Sequence, residues 1–259
     1  MKFLMKNKYS SNNISIYNRP KLYDDIMWWK KDDISFWETV VKKFKCKSVL
    51  EVCCGTGRIG LPLIQNKIDY YGIDISESFI DFFASKISNY NTNKLIVGDA
   101  SKFKLNKKFD LVFIGFNSLA HLLTNQEVTS FLNCVQNHMH QESIFGIDIF
   151  MPSHGLISNI DNDKVDLMNF IYSRTQKELN ILESTKYNSK TEVNNISWEF
   201  INQNNNTEFI YNFDMRMFFP DTLNRLLTDS KFHINSFYGN YELEPFNENS
   251  EKQIYICSK

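Results

Sequence analysis

The stretch of residues 48–60, SVLEVCCGTGRIG, constrains the fold of this chain more than any other. It begins with a short apolar run of β-forming residues, turns at Gly55 and Gly57, and continues into an apolar segment from Ile59 to Ile64. This order is typical of a strand, a glycine turn and the start of a helix. Glycine lets the backbone approach a ligand closely, and the unpaired amides at a helix start suit an anionic or polar group. The stretch therefore predicts a nucleotide-type site at the end of a buried strand.

Two kinds of cofactor site use this geometry. Gly55, Gly57 and Gly60 match the spacing of the dinucleotide fingerprint, and Asp74 stands at the end of the next strand, where an acid would bind a ribose. Taken alone, this pattern is compatible with a nicotinamide-dependent oxidoreductase. The glycines therefore do not decide which nucleotide-type cofactor is bound.

Two further acids bear on the choice of cofactor. Glu51 lies inside the first strand, just before the turn, and Asp99 follows the strand Leu95–Val97 in the phrase VGDA. A carboxylate before the turn can bind an α-ammonium group, and Asp74 can bind a pair of ribose hydroxyls. An acid after the third strand can accept a hydrogen bond from an adenine amino group. An ammonium group, a ribose and an adenine together describe S-adenosylmethionine (SAM) better than a dinucleotide.

Four segments in order, VLEVCCGTG, YYGIDIS, VGDA and FDLVFIGFNSLAHL, resemble the motif series of class I SAM-dependent methyltransferases. The resemblance extends from about Tyr17 to the end of the sequence. One departure is Cys53, which stands where the family usually has glycine; its Cβ is expected to crowd the methionine portion of SAM or to require a shifted backbone. The residues expected to contact SAM are Tyr23, Glu51, Cys53, Gly55, Gly57, Arg58, Asp74, Ile75, Asp99, Ala100, Phe116 and Asn117.

Strands alternate with helices over the first part of the chain, which implies a parallel sheet covered on both faces. The predicted strands include 70–73, 95–97, 110–114 and 143–150, and the predicted helices include 34–44, 79–87 and 127–139. In the resembled family the last strand inserts antiparallel, and QIYICSK would fill that place. The expected fold is α/β, a Rossmann-like, mostly parallel seven-stranded sheet with an antiparallel last strand.

The alternation of apolar and polar residues after residue 170 instead predicts successive strands with one solvent-exposed face, over residues 170–179, 180–188, 192–202 and 208–219. A hairpin turn is expected at residues 204–206. The block resembles the β-layer of small-molecule N- and O-methyltransferases, including those that act on amino sugars, where it forms the floor of the substrate chamber or a dimer face. We expect Asp221 to cap the helix that follows.

Three segments are expected on this basis. Residues 1–45 would form a helical lid, 46–152 with 219–259 the SAM-binding domain, and 153–218 an inserted substrate or dimer layer. Trp28 and Trp29 are expected to pack onto the domain. For Tyr23, packing onto the domain and covering the active site are equally expected.

Methyl transfer mainly requires positioning of the nucleophile and exclusion of water, with a general base where the nucleophile carries a proton. His121, just after strand four, is the expected base, although a packing role is the alternative. The expected substrate contacts are Tyr17, Ser118, His154 and Arg216. Arg216 has a structural ion pair as its alternative, and Arg58 could bind an acid instead of the SAM carboxylate. No metal site is expected, and His138 and His140 are expected on the surface.

Composition bounds the partners. The 259 residues carry a formal net charge of −1, which argues against a nucleic-acid substrate. Five scattered cysteines favour a reducing, cytoplasmic location, and the absence of a long apolar run argues against a membrane span. The sequence thus predicts a SAM-dependent methyltransferase that methylates an amine or hydroxyl of a small molecule. A homodimer is compatible with the inserted β-layer. The alternatives are an NAD-dependent oxidoreductase, a non-catalytic SAM-binding protein and an enzyme that consumes SAM by intramolecular attack.

Overall fold

The computed structural model describes residues 15–88, 91–153, 157 and 164–259. Their strands form two separate sheets. The strands are β1 (Ser48–Val52), β2 (Asp69–Asp74), β3 (Leu95–Val97), β4 (Phe109–Ile114), β5 (Met139–Phe150), β6 (Val165–Tyr172), β7 (Lys177–Asn188), β8 (Val193–Asn202), β9 (Thr207–Arg216), β10 (His233–Tyr238) and β11 (Lys252–Ser258).

The larger sheet has seven strands in the order β10-β11-β5-β4-β1-β2-β3. Strands β1 to β5 run parallel, whereas β11 is antiparallel to both of its neighbours, β5 and β10. The apolar runs of β1 and β4 lie at the centre because both of their faces are covered, and Val49, Leu50 and residues 111–114 are fully buried. The predicted fold class is confirmed, including the antiparallel strand.

Helices cover both faces of this sheet. They are α1 (Pro20–Ile26), α2 (Asp32–Lys43), α3 (Gly60–Gln65), α4 (Glu77–Lys86), α5 (Asn125–Asn137) and α6 (Pro220–Asp229). Ser76 caps α4 by accepting from the backbone N–H of Phe79, as an N-cap serine does. Helix α5 begins two residues earlier than the sequence suggested, because Thr124 and Glu127 form a capping box. The expected cap of α6 is wrong: Phe219 occupies the cap position, and Pro220 is the first helical residue.

The smaller sheet is antiparallel in the order β6-β7-β8-β9. One strand prediction within it is wrong, because residues 170–179 do not form a single strand. The chain turns between β6 and β7, where Gln176 has a φ of +56° and belongs to neither strand. The expected turn at residues 204–206 is confirmed, and Asn205 adopts a φ of +59° there.

The inner face of the smaller sheet packs on the N-terminal part of the described chain. Phe170, Leu179, Ile181 and Phe200 form a buried cluster with Leu22 and Ile26 of α1. The tryptophans just after α1 do not join this cluster: Trp28 is 64% exposed and Trp29 is 51% exposed. The prediction that they pack is wrong, because they lie in the turn between α1 and α2, where the helical periodicity is interrupted.

No described helix is long and apolar enough to cross a membrane. The division into a lid, a SAM-binding domain and an inserted layer stays a prediction.

Candidate active site

The turn after β1 depends on backbone conformations that favour glycine. Gly55 has a φ of +57° and Gly57 a φ of +83°. A Cβ on Gly57 would lie 2.1 Å from the ring of Phe83, so the packing of α4 also excludes a side chain there. Cys53 adopts a φ of +62°, the left-handed region. The backbone at Cys53 is therefore in a conformation that glycine adopts more easily, and it carries a half-buried thiol.

Asp74 connects the glycine turn to the end of β2. Its Oδ2 accepts from the backbone N–H of Gly55 at 2.8 Å, and its Oδ1 accepts from the N–H of Ser76 at 2.9 Å. Burial raises the pKa of Asp74, although these two hydrogen bonds oppose the shift. Asp74 thus lies where the sequence placed a ribose-binding acid, directly beside the turn.

Glu51 lies in the interior beneath the same turn. It is 3% exposed, and the hydroxyl of Tyr70 donates to its Oε2 at 2.5 Å. Burial raises the pKa of Glu51 to about 8, against the opposing effects of Tyr70 and the nearby Arg58. A cation placed beside Glu51 would be paired with a carboxylate that has few other partners.

Asp99 follows β3, at the same edge of the sheet. Its Oδ1 accepts from the N–H and the hydroxyl of Ser101, and its Oδ2 pairs with Lys102 at 3.0 Å. Partial burial would raise the pKa of Asp99, but these contacts outweigh it and lower the pKa. The other predicted contacts in this region differ in exposure: Ala100 is buried, whereas Ile75 is 64% exposed.

Arg58 is held by a buried acid that the sequence did not single out. Its two terminal nitrogens donate to the carboxylate of Asp33 at 2.5 and 2.7 Å, and Nη1 also donates to the carbonyl of Lys30. The Asp33 side chain is fully buried, and the guanidinium stacks on the ring of Phe116 at 4.7 Å. The acid pairing that we left as an alternative is the one present; contact with a SAM carboxylate stays a prediction.

The N-terminal segment is fastened over the turn by polar contacts. Asp24 accepts from the hydroxyl of Thr56 and pairs with Lys86 of α4, both at 2.5 Å. The carbonyl of Tyr17 accepts from the Ser76 hydroxyl at 2.6 Å. These contacts place Tyr17 and Tyr23 directly above the carboxyl ends of the strands.

The loop after β4 carries the expected base. Phe116 and Asn117 both have positive φ, at +48° and +64°. Asp148 of β5 accepts from the N–H of Phe116, and the Asn117 side chain accepts from the N–H of Phe150, so β5 holds the loop in this conformation. Asp148 is fully buried and was missed in the sequence, although an acid in the apolar strand SIFGIDIF is a visible signal.

His121 ends the short 3-10 helix Ser118–His121 that follows this loop. Its Nε2 lies 2.9 Å from the hydroxyl of Tyr17. The imidazole surface is exposed within a recess, and desolvation by the surrounding chain lowers its pKa below the usual 6.5. His121 is therefore neutral at pH 7 and able to accept a proton.

A cavity of about 30 Å³ lies between these groups. Its lining includes Tyr23, Glu51, Cys53, Arg58, Phe116 and Ser118. With Gly55, which also lines it, seven of the predicted site residues thus meet in one place. A larger cleft of about 520 Å³, lined by Asp32 and residues between 239 and 252, contains none of them.

One predicted substrate contact, Arg216, does not line this cavity. Arg216 pairs with Glu192 at 3.0 Å and donates to Asn125 at 2.8 Å, so its guanidinium is engaged in a structural contact and its binding to substrate stays a prediction. His154 lies outside the described residues. The expected surface position of His138 is wrong: it is 2% exposed, because its ring bridges two backbone groups near α5. Among the residues that the structure describes, no group of three or more His, Cys, Asp or Glu side chains could hold a metal ion.

Comparisons with known proteins show which proteins this chain is similar to. Residues 49–142 match the family model described as a methyltransferase domain. The putative methyltransferase YqeM of Bacillus subtilis is 28% identical over 102 residues. That match covers 39% of this chain and 41% of the relative, so less than half of the relative's length is represented.

Solved structures share the fold over nearly the whole chain. The CcbJ methyltransferase of Streptomyces caelestis aligns with a TM-score of 0.77 at 17% identity, over 94% of this chain and 98% of its own. SAM-bound CalS10, an amino pentose methyltransferase of Micromonospora echinaspora, aligns with a TM-score of 0.68 at 13% identity, over 96% and 99%. At these identities the likeness concerns the fold, including the inserted sheet.

Proposed function

We propose that this chain, whose residues 49–142 match a methyltransferase domain, moves a methyl group from SAM to an amine or hydroxyl of a small molecule. The observation that carries this proposal is the contact between Tyr17 and His121. This contact supports the proposal because it links His121, the candidate proton acceptor, to Tyr17, whose carbonyl accepts from Ser76 after β2, while the other neighbour of His121 is Phe213 of the inserted sheet. The similar structures include an amino pentose methyltransferase, which supports a small, nitrogen-bearing acceptor.

SAM is expected to lie across the ends of β1, β2 and β3. Each oxygen of Asp74 accepts one backbone N–H, and a carboxylate oxygen has a second acceptor site, which leaves capacity for two ribose hydroxyls. Glu51 is expected to face the α-ammonium group and Asp99 the adenine. Because ligand sites typically enclose about 300–1,000 Å³, Tyr23 and Phe116 have to move outward from the small cavity when SAM binds.

When bound, SAM supplies a methyl group on an activated sulfonium. The chain's own contribution is to position the acceptor and to remove its proton. The neutral imidazole of His121 takes that proton at Nε2, which requires the Tyr17 hydroxyl to stop donating to this nitrogen; once Nε2 is protonated, it can donate to the Tyr17 oxygen instead. Tyr17 is therefore a positioning residue in this proposal, and His121 is the catalytic one.

The test is a His121→Ala variant compared with wild type. The loss of a general base typically costs about 10²–10⁴-fold in rate, and we expect turnover to fall in that range while binding of S-adenosylhomocysteine (SAH) by calorimetry is unchanged. His233→Ala is the matched control, because this histidine is exposed on β10 and should alter neither quantity. A His121→Ala protein with normal turnover would remove His121 from the mechanism.

Three other functions make different predictions. An NAD-dependent oxidoreductase should bind NAD tightly and SAH not at all. A non-catalytic SAM-binding protein should leave bound SAM intact with every amine and alcohol. Intramolecular attack should give a product other than SAH by mass spectrometry. Calorimetry with SAM, SAH and NAD, followed by product analysis, separates all four.

A further inference from the structure

The inner face of the inserted sheet is not buried to the same degree along its length. Near α1 it is covered by the helix: Ile181 and Phe200 are fully buried and Leu179 is 2% exposed. Further along the same face, Glu183 and Trp198 are only half-buried, and so is Phe213. The described chain therefore leaves an aromatic, partly open surface on the side of the sheet that faces the active site.

Three inner-facing residues, one on each of three adjacent strands, are neighbours at this half-buried part of the face; the third of them, Tyr211, is itself buried. Glu183 of β7 is the register partner of Trp198 of β8, and Trp198 is the register partner of Tyr211 of β9. The indole N–H of Trp198 donates to Oε2 of Glu183 at 2.7 Å. This bond fixes the carboxylate beside the aromatic rings, and no described residue is recorded as a partner of its Oε1.

These residues lie close to His121 and to Tyr17, the positioning residue. The Phe213 ring lies 6.4 Å from His121 and 5.1 Å from Trp198. The Tyr211 ring lies 5.9 Å from that of Tyr17. Glu183 is two strands away from Tyr211, which corresponds to about 10 Å across a sheet. A small molecule with its reacting atom at His121 can therefore reach Glu183.

We propose that Trp198, Phe213 and Glu183 form a subsite for a second, positively charged group of the methyl acceptor. Among the described inner-facing residues of β8, β9 and the part of β7 from Leu179 onward, Glu183 is the only charged one; Lys177 has the same alternation but stands at the far end of β7, six residues from Glu183. An ammonium group over aromatic faces and beside a carboxylate is stabilised by both. The acceptor is then a diamine or a larger molecule with two basic groups: one is neutral at His121 and is methylated, and the other stays charged at Glu183.

This inference rests on the proposed function, so binding of the acceptor is measured separately from methyl transfer. Diaminooctane and octylamine are matched probes that differ in one terminal ammonium group, and putrescine is a shorter diamine. Each is titrated by calorimetry into the protein with and without SAH. We expect diaminooctane to bind at least about tenfold more tightly than octylamine, a ratio of one factor of ten in the dissociation constant, and putrescine to lack this advantage because it cannot span both groups.

Glu183→Gln removes the charge but keeps an oxygen that can accept from Trp198. We expect this variant to bind diaminooctane no better than octylamine, and Trp198→Phe to lose part of the preference. Glu199→Gln is the control. Glu199 is on β8 beside Trp198, but it faces the opposite side of the sheet, where it contacts Lys164 and Thr207. Its variant should therefore keep the wild-type preference for diaminooctane.

The outcomes distinguish failure of the charged subsite from failure of the proposed methyltransferase function. Equal binding of the two long probes by wild type, or an unchanged preference in Glu183→Gln, overturns the subsite. Absence of SAH binding overturns the proposed function instead, and the titrations without SAH still decide whether the charged subsite exists.

Discussion

The buried pair of Asp33 and Arg58 allows a prediction with a defined magnitude. Asp33→Ala removes both charge-assisted hydrogen bonds and leaves the guanidinium without its carboxylate. Breaking a buried pair costs about 3–5 kcal/mol. The Arg58 side chain is 18% exposed and keeps its contact with the Lys30 carbonyl, which softens the loss. We therefore expect the free energy of unfolding to fall by about 2–4 kcal/mol, which at roughly 2 °C per kcal/mol lowers Tm by about 4–8 °C.

The assay is urea and thermal unfolding of five proteins: wild type, the two single variants, the double variant and one control. The double variant with Arg58→Ala should be more stable than the sum of the two single losses predicts, because no unpaired charge is then left behind. Glu38→Ala is the control: Glu38 is on the same helix as Asp33 but makes one surface contact with Asn66, so it should cost below about 0.5 kcal/mol. An Asp33→Ala protein as stable as wild type, or strictly additive losses, would refute this reasoning.

Three shorter predictions concern the turn. Because burial raises the pKa of Glu51 from 4.5 to about 8, the folded protein holds more protons than the unfolded chain between these values, so the free energy of unfolding should fall as pH rises through that window. In urea titrations Glu51→Gln should flatten this component, and an unchanged slope contradicts it. Gly57→Ala should cost about 2–4 kcal/mol from the left-handed backbone and the clash with Phe83, whereas Gly55→Ala, with the backbone penalty alone, should cost about 1–2 kcal/mol; equal losses would be inconsistent with the clash. Cys53→Gly should change stability by less than about 1 kcal/mol, because relief of the left-handed backbone offsets the entropy of glycine, and a larger loss by denaturant unfolding argues against that balance.

The parallel sheet, and the edge of it at which a ligand is expected, could be predicted from local patterns in the sequence. A strand of apolar residues, a glycine turn and an acid at the next strand end are each visible within a few residues. In a parallel sheet the carboxyl ends of neighbouring strands share one edge, so Glu51, Asp74 and Asp99 could be placed together from topology alone. The alternation of apolar and polar residues likewise identified the inserted sheet, although it did not resolve the turn between its first two strands.

The contacts between distant segments could not be predicted in this way. Tyr17 and His121 are 104 residues apart, and no periodicity links them. Asp33 lies in the first turn of α2, where an acid favours the helix dipole, yet its side chain is buried and pairs with Arg58. Trp28 was expected inside because large apolar side chains usually are, but a turn between two short helices leaves it in solvent.

The place of β11 has a consequence for how the chain is made. It fills the gap between β5 and β10, yet it lies about a hundred residues after β5 in the sequence. During synthesis, β5 must wait for Lys252–Ser258 to leave the ribosome before its open edge is paired. The inserted sheet, whose strands are joined by short turns, can form in that interval, because nearby partners close with little loss of chain entropy. The seven-stranded sheet is thus the later of the two to be completed, and its unpaired edge is the surface that a nascent-chain chaperone would have to protect.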